Sequence, residues 1–411
     1  MRTGLLAQSL VNAGHEVTWW ASTFNHFTKS HRAHEDRLDQ WSSRYKLYLM
    51  HSPGYSSNVS LRRLLDHRLL GRKFAKLAQT ELRPDVIHCG FPTIELAFHS
   101  SRYARANGVP LVLDTRDMWP DIFVEALPGF TQGLARLALT HDFSMARSAF
   151  RSASAITAHA PGFVEWGLQL AQRAGTDLDR DFPFAYPDTV SDPEALQTAR
   201  QYWRSVGVGS DPDELVVCFF GTFAARREVD LETVVAAARQ LQARSAKVRI
   251  ILCGSGPASD RIQSGARGLH NVHLPGWVDF PRIWTLMRLS HLGLLPYLPS
   301  RDFLMSIPNK AVEYVSGGLP VVTSLDRGFL AKLFAEYGCV KTYRAGADGE
   351  LAETLESLQQ DRSKLSAMQN GARTLFDHRF RLETVNSAMM EHLEDVVQRY
   401  ASGHSRSGSH S

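Results

Sequence analysis

The chain has no run of about 18 consecutive apolar residues, so nothing in it reads as a membrane-spanning helix. It is poor in cysteine, with 4 in 411 residues. Cys89, Cys218, Cys253 and Cys339 show no CxxC spacing, which excludes a disulfide scaffold and a zinc ribbon. They read as small buried apolar side chains in a reducing compartment. An excess of one charge is also lacking: 46 Lys and Arg stand against 42 Asp and Glu, a net charge of +4. That is too little to argue for a nucleic-acid partner. The 29 glycines and 18 prolines show no period, so collagen-like and low-complexity readings fall. The opening residues, MRTGLLAQSLVNAGHEV, lack the apolar core of a signal peptide. What remains is 44% hydrophobic and 21% charged, an ordinary globular composition. The length suggests two or three domains.

The dominant pattern is strand, then helix, repeated. Strand-like runs fall at 16–23, 45–51, 85–89, 110–114 and 154–158, with helical spacing over 61–82 and 93–107. The second half alternates more cleanly, with strands at 214–223, 248–253, 271–274, 292–297, 319–324 and 339–342. Such alternation predicts βαβ units and parallel sheets, here two doubly wound domains. The polar, Asp- and Pro-rich stretch 177–213 separates them, with the linker near 184–192. The predicted domains are 1–186 and 187–385, followed by a helix over 386–400 and a disordered tail over 401–411. The chain opens on a helix, Arg2 to Ala13, where a doubly wound domain ordinarily opens on a buried strand. The expectation is therefore a natural protein extending upstream by about 15–30 residues, one apolar strand and a Gly- or Pro-containing loop.

Three constellations carry chemistry. Gly254, Ser255 and Gly256 follow the strand 248–253 and let backbone approach a ligand at a strand's carboxyl end. Gly221 and Thr222 end the strand before, and Arg226 and Arg227 follow them. Paired arginines match diphosphate oxygens, and a solvated loop fits these residues equally well. The third is Ser306-Ile307-Pro308-Asn309-Lys310, with Glu313 beyond and GGLPVV after it. Ser306 is the expected N-cap and Pro308 falls in the first turn, so the helix start favours an anion. Glu313 can accept both hydroxyls of a ribose.

SIPNKAVEY with GGLPVV resembles the signature helix of family 4 retaining glycosyltransferases with the GT-B fold. FFGTF, CGSGP and LPGWV resemble the same family's donor domain. GHEVT, PDVIH and DTRDMWP resemble its acceptor domain, and RDMWP resembles the branch of WbuB-type bacterial surface-polysaccharide transferases. The resemblance spans roughly residues 2–385. It implies two Rossmann-like domains facing a cleft, with the C-terminal helix returning to the N-terminal domain. It implies a nucleotide-diphosphate sugar as donor, a UDP-sugar favoured, and a glycan or polyprenyl-diphosphate-linked acceptor. Donor binding falls to Gly221, Thr222, Gly254, Ser255, Gly256, Trp277, Ser306, Ile307, Pro308, Asn309 and Glu313. Catalytic roles fall to Arg226, Arg227, Lys310 and Asp117, and the acceptor side to His88, Arg116 and Trp119. Glu313 matches the second Glu of the family's E-x7-E motif. The first would stand at Met305, with Asp302 nearby. No cofactor and no metal are expected: the strings 177–179 and 211–213 carry Asp-x-Asp, but in polar loops.

The segment 61–77 is basic and amphipathic, with Arg62, Arg63, Arg68, Arg72, Lys73 and Lys76 against Asp66. It suits an anionic inner-leaflet surface, or equally a solvated surface helix. The expected place is the cytoplasm, peripheral on the inner membrane. Two rivals stand beside the transferase. A non-catalytic transferase-like subunit would bind donor without transfer, and an epimerase of the same fold would convert donor without acceptor.

Overall fold

The computed structural model describes residues 2–26, 28–56, 60–187, 192–224 and 228–407. The chain divides into two compact units, residues 1–183 with 385–411, and residues 184–384.

The first unit runs α1 (Arg2–Asn12), β1 (Val17–Ser22), β2 (Phe24–Asn25), β3 (Ser30–His31), β4 (Arg37–Ser42), β5 (Tyr45–Met50) and α2 (Leu61–Leu77). It continues through β6 (Ile87–Phe91), α3 (Ile94–Asn107), β7 (Leu111–Thr115), α4 (Asp121–Glu125), α5 (Gly129–Ala138), α6 (Thr140–Ser152), β8 (Ala155–Ala158), α7 (Pro161–Ala171) and β9 (Arg180–Asp181). Its strands form two sheets, β1-β5-β4 and β6-β7-β8-β9, besides the short β2-β3 pair. The four-stranded sheet is wholly parallel. Its central strand β7 is buried along its length, including Asp114 and Thr115. Among the described residues no bridge joins β1 to β6, so each keeps one unpaired edge.

The second unit holds α8 (Pro193–Ser205), β10 (Leu215–Phe220), α9 (Leu231–Ala243), β11 (Val248–Cys253), α10 (Ser259–Gly265), β12 (Val272–Gly276), α11 (Phe280–Leu289) and β13 (Leu292–Leu295). Then come α12 (Arg301–Met305), α13 (Asn309–Ser316), β14 (Val321–Thr323), α14 (Phe329–Glu336), β15 (Val340–Thr342), α15 (Asp348–Gln360) and α16 (Arg362–Arg379). Its six strands are parallel in the order β12-β11-β10-β13-β14-β15. That is the doubly wound order in which the strand order reverses beside the first strand, here between β10 and β13. β10 reads LVVCFF and is buried at every position, as a central parallel strand must be. Cys218, Cys253 and Cys339 are unpaired and buried in this core, and Cys89 in that of the first unit.

The last helix, α17 (Leu382–Ser407), belongs to the first unit from Val385 onward. Asn386 donates to Ser9 Oγ at 2.9 Å, and His392 lies against the Phe182 ring. The helix continues past Tyr400, where the sequence suggests a tail. Ser402 Oγ donates to the Gln398 carbonyl at 2.8 Å, one turn back, and no Pro interrupts the helix.

Candidate functional site

In an open parallel sheet, ligands bind beyond the carboxyl ends of the strands, where the strand order reverses. In the second unit that place is the end of β10, and the sequence puts Gly221 there. Gly221 N–H donates to the Cys253 carbonyl at 2.9 Å, and Gly254 N–H donates to the Gly276 carbonyl at 2.7 Å. Phe223 N–H donates to the Ser255 carbonyl at 3.0 Å. Three strand ends are thus stapled side by side. A Cβ on Gly254 would lie 1.8 Å from the Gly221 carbonyl oxygen, so only glycine permits this approach. Thr222 and Ser255 stay exposed above the seam. Trp277 follows the end of β12 and is 74% exposed, while its neighbour Val278 is buried.

Helix α13 closes the seam from the other side. Tyr314 is fully buried and donates its hydroxyl hydrogen to the Leu294 carbonyl at 3.1 Å. Its ring packs edge-on against Phe220 at 4.9 Å. Lys310 stands one turn before Tyr314 on the same face and Glu313 stands beside it, so this anchor sets where both side chains lie. The Lys310 chain lies across Gly221, where an added Cβ would stand 2.4 Å from Cε. Burial lowers the Lys310 pKa, with Glu313 opposing. Burial likewise raises the Glu313 carboxyl, against the Tyr186 hydrogen bond and the Lys310 charge.

The Tyr186 hydroxyl donates to Glu313 Oε1. Tyr186 is clamped in turn. Its N–H donates to the Phe380 carbonyl, and its carbonyl accepts from Leu382 N–H, both at 3.0 Å. The sequence offers no signal for this residue, which sits in a polar connecting stretch with no motif around it.

Ser306 does not cap α13. It ends α12 instead, and Pro308 occupies the capping position without a side-chain bond. Pro308 lacks the side-chain oxygen of a cap but fixes φ, and Ser306 and Ile307 turn inward, both buried. Asn309 is exposed at the first helical position. Met305 and Asp302 lie on α12, where Asp302 accepts the Ser300 hydroxyl. Arg226 and Arg227 lie outside the described residues.

The first-unit candidates lie along β6 and just beyond the carboxyl end of β7. Asp114 Oδ1 accepts from Arg2 at 3.1 Å and from Thr157 Oγ1 at 3.2 Å; Oδ2 accepts from Arg116 at 2.9 Å. Burial opposes ionisation there, yet Arg2 and Arg116 outweigh it and hold the carboxyl below the usual range. Arg116 also donates to Thr3 Oγ1 at 2.7 Å. His88 faces this cluster with Nε2 shut off from solvent, and burial drives its pKa down to about 4. Asp117 accepts the Trp119 indole N–H at 3.0 Å. Trp119 is buried, stacked on His67 and covered by the Arg63 guanidinium 4.3 Å from its ring. The polar-loop aspartates have local partners: Arg173 for Asp179, and Lys247 for Asp211 and Asp213.

Comparison with known proteins fits this arrangement. A family model described as Glycosyltransferase Family 4 matches residues 2–175, and one described as Glycosyl transferases group 1 matches residues 214–361. No curated protein matches in sequence. Among solved structures, sucrose-phosphate synthase from Thermosynechococcus elongatus is similar at TM-score 0.67 and 16% identity, over 96% of this chain and 92% of that one. HepE of Anabaena in complex with UDP is similar at TM-score 0.61 and 17% identity, over 85% and 86%. WaaG, a glycosyltransferase involved in lipopolysaccharide biosynthesis, is similar at TM-score 0.58 and 16% identity, over 95% and 94%. At such identities the structures speak for the GT-B fold, and the two family matches speak for the chemistry. The chain is a glycosyltransferase, with a family 4 domain in its first half and a group 1 glycosyl transferase domain in its second.

Proposed function

We propose that this glycosyltransferase moves a hexosyl or N-acetylhexosaminyl group from a nucleotide-diphosphate sugar, a UDP-sugar in the first instance, with retention of configuration. The observation that carries the donor class is the seam of Gly221 and Gly254 with Lys310 and Glu313 beside it. The glycines leave no side chain between the strand ends and a diphosphate, and Lys310 and the start of α13 bring positive charge to the same place. Glu313 is half-buried and suits a ribose diol, which offers two hydroxyl donors to one carboxylate. Trp277 stands exposed at the next strand end, where a base can stack. The UDP and UDP-glucose complexes of HepE favour uridine.

The chemical task is to stabilise a leaving diphosphate. Fixed donors aimed at developing charge do this without reorganisation, and Arg226, Arg227 and Lys310 are the assigned groups. In the proposed front-face displacement, the leaving phosphate oxygen takes the acceptor's proton as the glycosidic bond breaks. The new bond forms on the same face. The acceptor is a glycan or polyprenyl-diphosphate-linked sugar of surface polysaccharide synthesis, received by the first unit around Arg116, Asp117 and Trp119. Among the described residues no helix is long and apolar enough to cross a membrane. The membrane part of this reading is peripheral contact at the cytoplasmic face of the inner membrane, through α2.

A panel of nucleotide sugars scanned by thermal shift identifies the donor, since a ligand binding only the native state raises its melting temperature. Mass spectrometry of products with and without a lipid-linked acceptor then separates the rivals. Transfer supports the proposal, binding without turnover supports a partner subunit, and donor conversion without acceptor supports an epimerase.

A further inference from the structure

We propose that one face of the first unit docks on an anionic lipid bilayer, with α5 as its apolar insert and the row α2–α3–α6 as its basic bed. No residue of α5 is buried. Phe130 is 90% exposed, Leu134 71% and Leu137 70%. These three recur at helical spacing, so they form one stripe. Leu127, just before the helix, is exposed as well. An apolar stripe left in water on a folded unit marks a contact surface.

The charge beside it identifies the partner. α2 packs on α3, and α3 on α6. Each of these helices carries a single acid, Asp66, Glu95 or Asp142, and all three acids are buried. Asp66 accepts the Gly54 N–H at 2.7 Å. The outward positions are basic, with Arg72, Lys76, Arg102, Arg105, Arg147 and Arg151 all exposed. α5 joins this row through α6, where the Arg136 guanidinium lies 5.4 Å over the Phe143 ring. It joins α2 through α4, whose Phe123 packs on Trp119 beneath Arg63.

A row of helices that exposes six cations and none of its own acids, with Asp36 paired to Lys73 at its edge and an apolar helix along its border, complements anionic headgroups over acyl chains. A nucleic acid would use the cations but leave Phe130, Leu134 and Leu137 without a role. A second copy of this chain would set the basic face against itself. The inference deepens the membrane part of the proposed function and rests on it for location alone.

The test is flotation of the full chain with vesicles of phosphatidylcholine alone or mixed with phosphatidylglycerol, with neither donor nor acceptor present. A failure of the transferase reading therefore leaves the result interpretable. The anionic vesicles should carry the protein and the neutral ones should not. Phe130→Ser/Leu134→Ser/Leu137→Ser should lower the bound fraction on anionic vesicles roughly tenfold or more. Arg102→Gln/Arg105→Gln/Arg147→Gln should lower it roughly tenfold and flatten its salt dependence. Both triples change exposed residues, so their melting curves should overlay the wild type; Phe130→Ser alone serves if one does not fold. Vesicle binding indifferent to the serine changes would overturn the proposal. So would equal binding of neutral vesicles, duplex DNA bound as tightly as the anionic vesicles, or a dimer that the serine changes dissolve.

Discussion

Tyr186 donates its hydroxyl hydrogen to Glu313, so the carboxylate assigned to the donor ribose is held by a residue near the start of the second unit. Tyr297 and Tyr314 lie near the same carboxylate, and Lys310 is one turn away. Burial raises the Glu313 pKa, while Tyr186 and Lys310 pull it back. The ionised form accepts the ribose hydroxyls, so donor affinity should fall as pH drops through the Glu313 pKa. Tyr186→Phe removes one stabiliser of the carboxylate. The midpoint of that fall should then move to higher pH. Donor titrations across pH check this, and superimposable profiles would show that the hydroxyl serves packing alone.

Gly254→Ala should be poorly tolerated. The new methyl would meet the Gly221 carbonyl, which is backbone and cannot swing away. A cost of about 1–3 kcal/mol to the second unit is expected, with weaker donor binding. Denaturant melts of the variant read the first and nucleotide titration the second. A variant melting and binding as the wild type would mean that the strand ends are not stapled as described.

How much of this was legible in the sequence divides by kind of interaction. The parallel strands of the second unit follow from runs such as LVVCFF and VRIILC, because strands buried on both faces must be apolar throughout. Gly221, Gly254, Lys310 and Glu313 stood out because glycine and charge at strand ends have few other uses. Tyr186 could not be read, since its role depends on clamping by Phe380 and Leu382, nearly two hundred residues away. The N-cap at Ser306 was misplaced because the short helix α12 ends there, and a serine ending one helix looks like a serine starting the next. The antiparallel strand β4, RLDQWS, is too polar to show the alternation of a strand.

Asp114→Asn should destabilise the first unit by about 3–5 kcal/mol, because it strands the Arg2 and Arg116 charges in a buried site. The Asp114 carboxyl ionises more readily in the folded protein than in the unfolded chain. Its contribution is therefore present above the unfolded pKa of about 3.9 and is lost as pH falls below it. Melting curves should separate wild type from variant at neutral pH and converge in acid. A constant gap would assign the effect to packing.

Neutralising Arg226 and Arg227 together should lower turnover by about 10²–10³-fold while leaving the melting temperature unchanged, if they face the leaving diphosphate. Initial rates at saturating donor measure this. A double variant turning over at the wild-type rate would return the pair to a solvated loop.

The central claim is that the second unit holds a nucleotide-diphosphate sugar with Glu313 on its ribose. Calorimetric titration of UDP and UDP-sugars into wild type and Glu313→Ala tests it most directly. The account predicts saturable binding to the wild type, weakened in the variant by about 1.5–3 kcal/mol, roughly ten- to 150-fold. Circular dichroism of the variant should remain that of the folded protein. Equal affinity in the two proteins, or no nucleotide bound by the wild type, would contradict it.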